Sequence, residues 1–89
     1  MGQAQHQAPV KHRVCVRIGD EEFVLRGEAP PEYMQRLAEL VHAKFVQLQA
    51  AYRHLPRHRI AILTAIHLAD EVEKLRAENQ ELLSLFEEA

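Results

Sequence analysis

LADEVEKLRAENQELLSLF, residues 68–86, carries Leu68, Val72, Leu75, Asn79, Leu82 and Phe86 at alternating steps of four and three. This is the d-a-d-a-d-a pattern of a heptad seam. A helix cannot bury such a stripe against itself, so the seam predicts contact with another helix, most economically the same helix of a second copy. Asn79 stands at an a position between Leu75 and Leu82. A polar residue there lowers stability but fixes register and orientation, because its amide pairs with an equivalent amide in only one alignment. Glu71 at g and Arg76 at the following e are placed to pair across a parallel dimer. Leu83 and Leu85 broaden the stripe at its C-terminal end beyond what two strands need. Two readings of that breadth stand: association of two dimers through their tails, or crowding at a fraying end.

Upstream the character changes. Ile60, Ile62, Leu63 and Ile66 surround the small Ala61, Ala65 and Ala69, so the helix is apolar on most sides. Such a stretch is buried on most sides, which predicts packing between the chain's own hairpin and first helix and a second subunit. The expected oligomerisation residues are therefore Ile62, Leu63, Ile66, Leu68, Val72, Leu75, Asn79, Leu82 and Phe86. Pro56 suits the first turn of this helix, which should span residues 56–89, about 50 Å.

A first helix begins at Pro30-Pro31-Glu32, where proline and an early acid favour a helix N-terminus. Met34, Leu37, Ala38, Val41, Phe45, Leu48 and Tyr52 give it one apolar stripe. The second helix should outreach it by about 17 Å, leaving the seam without an intrachain partner. Before the first helix, Val14, Val16 and Ile18 alternate with Arg13, Cys15 and Arg17, the period of a half-buried strand. Gly19-Asp20 marks a turn, and Phe23 and Leu25 continue the apolar face on a second strand that closes at Gly27. A hairpin is barely stable alone and needs a helix across it. Residues 1–12, rich in Gln, Ala and His without periodicity, are expected to be a disordered tail. The fold class is α+β: a small β-β-α head over residues 13–55, then a long helix over 56–89 that forms an intermolecular coiled coil with its distal half.

Eighty-nine residues permit one small domain, marginal without reinforcement. A formal charge of −2, from 11 basic and 13 acidic residues, offers no broad field for neutralising phosphates, which argues against nucleic acid. The single cysteine, Cys15, permits no intramolecular disulfide and fits a reducing, cytoplasmic compartment. No run of about 18 apolar residues appears, so no membrane span is expected. Thr64, Ser84 and the tyrosines stand in no nucleophile context, and no phosphate loop exists, so the chain is not expected to be an enzyme or to need a cofactor. His54 and His58 are separated by Pro56, which breaks helical phase, and with His67 they lack the convergent set a metal requires. His67 is expected as a hydrogen-bonded interface residue.

VCVRIGDEEFVLRGEAPPEYMQRLAELVHAKF, residues 14–45, and HRIAILTAIHLADEVEKL, residues 58–75, together resemble the ZapA family of bacterial cell-division proteins. The markers are Ile18-Gly19, Phe23 with Leu25 and Gly27, the helix from Tyr33 to Leu48, and Ile60 to Ile66. His67 stands where the family usually has Asn, and the tail is short. The resemblance implies paired heads, dimers joined by antiparallel tails into tetramers, and binding and cross-linking of FtsZ filaments in the Z-ring at midcell. It also implies charged head residues as the contact, for which Arg17, Arg26, Arg53, Arg57 and Arg59 are the candidates. A generic coiled-coil adaptor is the alternative. A leucine-zipper DNA binder, suggested by LRAENQEL, lacks a continuous basic helix, because Pro56 interrupts it and residues 60–69 are largely apolar.

Overall fold

The computed structural model describes residues 10–87, with side chains as far as Leu85. Most of the tail expected to be disordered, and the side chain of Phe86, lie outside the described residues. The elements run β1 (His12–Ile18), β2 (Glu21–Gly27), α1 (Pro31–Ala51) and α2 (Arg57–Glu87). This is the expected α+β order, with β1 starting at His12 because that residue still pairs with Gly27. Two compact units divide between Ala43 and Lys44, inside α1.

In the first unit, β1 and β2 form an antiparallel pair whose last partners at the turn are Ile18 and Glu21. Two residues therefore make the turn. Gly19 has φ of 67° and no non-glycine among the described residues has a positive φ, so the turn is type II′, whose first position requires what glycine alone adopts cheaply. The Gly19 N–H donates to Nδ1 of His42 on α1 at 2.9 Å, in a partly buried setting. The imidazole accepts there, which places its proton on Nε2.

The alternation of β1 is realised: Val16 is buried, Val14 and Ile18 are half-buried, and Arg13, Cys15 and Arg17 are exposed. On β2 Leu25 is half-buried, while Phe23 stays 40% exposed. A sheet of two strands has only edges, and a ring this large overhangs one. The buried positions of α1 in this unit are Met34 and Ala38, one turn apart. A Cβ at Gly27 would lie 3.5 Å from the Met34 Sδ, so the end of β2 meets this helix at van der Waals distance. The Pro30 carbonyl accepts from the N–H groups of Tyr33 (3.0 Å) and Met34 (3.1 Å), and Pro31 takes the first helical position.

In the second unit, the end of α1 turns into α2 through Tyr52 to Pro56. The Leu55 N–H donates to the Tyr52 carbonyl at 3.1 Å, and the Pro56 carbonyl accepts from Arg59 (3.0 Å) and Ile60 (3.1 Å) to start α2. Phe45, Leu48 and Ile60 are its buried apolar side chains. Thr64 is also buried, and its hydroxyl donates to the Ile60 carbonyl one turn back at 2.8 Å. The Arg57 guanidinium lies 5.7 Å from the centre of the Phe45 ring, a cation–π arrangement. Lys44 Nζ meets Glu71 Oε2 at 2.8 Å. Both contacts join α1 to α2. Glu71, expected to reach a second chain, is thus engaged within its own, and Arg76 pairs with Glu73 one turn away at 3.5 Å.

Removing the acceptor beneath the turn has a defined consequence. His42→Ala leaves the Gly19 N–H without a protein partner, which should cost about 1–3 kcal/mol if water cannot enter. Amide exchange at Gly19 should accelerate well beyond that at Val16; unchanged protection would show that the hydrogen bond contributes nothing.

Candidate interaction surfaces

From Ala69 to Leu85 every side chain of α2 is exposed in the single chain, apolar residues included. Val72, Leu75 and Leu82 lie along the stripe at heptad spacing, and Leu75 is 64% exposed. A lone leucine on a surface is ordinary, but a repeated stripe on one helix face is not. Val72, Leu75, Arg76 and Asn79 line one depression of about 420 Å³, which places Asn79 on the same face as its apolar neighbours. Leu83 and Leu85 are open as well. The proximal part of α2 is divided. Ile60 is fully buried and Leu63 and Leu68 are half-buried, whereas Ile62 and Ile66 are each 57% exposed. Helical period explains the split, since residues 62 and 66 share a face about opposite to that of residues 60 and 64.

A second depression, of about 310 Å³, is lined by Leu55, His58, Arg59, Ile62 and Leu63. It puts Arg59 beside Ile62, at the start of the exposed apolar face. Arg53 is exposed in the turn between the helices. Arg57 is committed to the Phe45 ring.

The other two candidate arginines belong to the hairpin. Arg17 and Glu22 are register partners, and the Arg17 guanidinium donates to Glu22 Oε2 at 3.3 Å. Arg26 faces Arg13 directly across the ladder. Sequence reasoning passed over Arg13, although counting back from a two-residue turn at Gly19-Asp20 pairs it with Arg26. The missing step was to convert turn length into register.

Among the described residues no group of three or more His, Cys, Asp and Glu side chains could hold a metal ion. No helix there is long and apolar enough to cross a membrane. His67 is exposed in the single chain. The Thr64 hydroxyl is spent on the Ile60 carbonyl.

Comparison with known proteins follows this geometry. Residues 14–88 match the family model described as Cell division protein ZapA. A Cell division protein ZapA of Halalkalibacterium halodurans is 34% identical over 65 residues, which cover 73% of this chain and 71% of that protein. That of Oceanobacillus iheyensis is 29% identical over 73 residues, covering 82% and 85%. A solved structure, a ZapA mutant dimer from Geobacillus stearothermophilus, superposes with a TM-score of 0.71 at 29% identity, covering 93% of this chain and 95% of that one.

The exposed stripe makes two predictions. If a second helix covers Leu75, Leu75→Ala should cost about 2–5 kcal/mol per buried side chain, and the melting temperature should fall and depend more steeply on concentration. Melting identical to the parent at low concentration would remove Leu75 from any interface. Asn79→Leu should raise the melting temperature while broadening the distribution of oligomers seen in sedimentation velocity; higher stability with unchanged stoichiometry would leave Asn79 without a role in register.

Proposed function

We propose that this chain, which belongs to the ZapA family of cell-division proteins, binds FtsZ filaments and cross-links them in the Z-ring at the midcell division site. The observation that carries the reading is the apolar stripe of α2, open from Val72 to Leu85 in the single chain. Covered by the same stripe of a second copy, it makes a coiled-coil homodimer. The broad end at Leu82, Leu83 and Leu85 joins two dimers tail to tail into a tetramer. The β-β-α part, residues 13–55, acts as the filament-binding head, and α2 links the copies.

The physical reason such a device bundles filaments is multivalency. Several weak identical contacts, tethered at a spacing that fits neighbouring filaments, give an avidity far above that of one contact. No covalent step is needed, and the cytoplasm, where the filaments assemble, is the compartment. Arg17, Arg26, Arg53, Arg57 and Arg59 are the candidate contacts. Their environments rank them: Arg57 lies over Phe45 and Arg17 is paired with Glu22, which leaves Arg26, Arg53 and Arg59 as the stronger three.

Co-sedimentation and light scattering with polymerised FtsZ test the reading. The wild-type chain should pellet with filaments and raise scattering. Leu75→Ala with Leu82→Ala, which separates the copies, should retain pelleting at high concentration but lose most of the scattering, because binding survives and bridging does not. A wild-type chain that stays in the supernatant would overturn filament binding and leave a coiled-coil adaptor.

A further inference from the structure

The outer face of the hairpin is built in three cross-strand rows: Arg13 with Arg26, Cys15 with Val24, and Arg17 with Glu22. All six side chains are exposed. The row nearest the turn neutralises itself, since Arg17 and Glu22 form an ion pair. The far row does the opposite. Two arginines occupy directly opposite positions, where like charges destabilise a sheet and Cβ atoms are only about 4.5–5.5 Å apart. Neither is ion-paired among the described residues, and beyond the ladder Lys11 and Glu28 are exposed. Between the two rows lies an exposed apolar pair, with Val24 46% open.

We propose that Arg13 and Arg26 form a clamp for a carboxylate, and that the hairpin's outer face binds an acidic, extended polypeptide segment of the filament partner. This deepens the filament-binding reading and rests on it. Two arginines rooted at paired positions can each bring a planar guanidinium fork to the oxygens of one carboxylate. Successive rows on one face are about 7 Å apart, the distance between residues i and i+2 of an extended chain. The segment that fits therefore carries an acidic residue two positions from an apolar one, the acid on Arg13 and Arg26 and the apolar side chain on Cys15 and Val24. Nucleic acid fits less well. Three arginines and one glutamate give this face too little charge to neutralise a run of phosphates, and a phosphate backbone has no use for the open Val24.

The inference separates stability from binding in a way a structural role would not. Arg26→Glu replaces a like-charge row by an opposite-charge one, so the melting temperature should rise while the affinity for FtsZ filaments falls about tenfold or more. Arg26→Gln, which only removes the repulsion, should be at least as stable as the parent and also bind more weakly. Arg17→Gln should change binding less than about twofold, because that guanidinium is already held by Glu22. If the wild-type chain pellets with filaments and Arg26→Glu pellets equally well, the clamp is overturned while filament binding stands. Failure of the wild-type chain to pellet overturns the filament reading and this assignment of the ligand with it. A lowered melting temperature for Arg26→Gln would mark Arg26 as a structural residue and overturn the clamp. In an NMR titration of the whole wild-type chain, a glutamate decapeptide should shift the Arg13 and Arg26 Nε–Hε signals ahead of Arg17. Tighter binding of a thymidine decanucleotide at those signals would overturn the choice of an acidic polypeptide.

Discussion

An apolar stripe on a helix must be removed from water by something, and the stripe on α2 is longer than this chain covers. Ile60 and Thr64 are buried, yet Ile62, Ile66, Val72, Leu75, Leu82, Leu83 and Leu85 remain open. Covering a leucine side chain contributes about 1.5–3 kcal/mol, so several of them outweigh much of the entropic cost of bringing two chains together. A chain of 89 residues buries too little of itself to ignore that gain. The assembled state proposed for this protein follows from that shortage, with Asn79 proposed to limit which alignments it accepts.

The two units use polar groups sparingly and at junctions. In the first, His42 accepts from the Gly19 N–H of the turn. In the second, Lys44 and Glu71 join α1 to α2, with Arg57 over Phe45. Lys44 is 19% exposed and Glu71 about half, so solvent screens this pair less than a fully exposed one. The hairpin's outer face shows a different economy: Arg17 is satisfied by Glu22, while Arg13 and Arg26 are set against each other. A charge arrangement that works against the local sheet is more informative about partners than one that stabilises it.

Most of the secondary structure is legible in the sequence. Alternation from Arg13 to Ile18, the Gly19-Asp20 turn, Pro31 and Pro56 each place an element boundary within a residue or two of where it lies. The candidate surface was half legible. Heptad spacing identified Val72, Leu75 and Leu82 as one open face, whereas the five arginines could be named but not ranked. Ranking needed knowledge of what each guanidinium touches, and Arg57 on Phe45 joins residues twelve positions apart across a turn.

By itself the sequence determined what periodicity and turn chemistry encode: which residues share a face, where helices start, and where the hairpin turns. Only the tertiary structure decided that Glu71 is taken by Lys44, that His42 accepts from Gly19, and that Ile60 is covered while Ile62 is not. The reason is physical. Periodicity is a property of a few neighbouring residues, whereas those contacts join segments far apart in the chain, and which of them form depends on how the intervening backbone turns and packs.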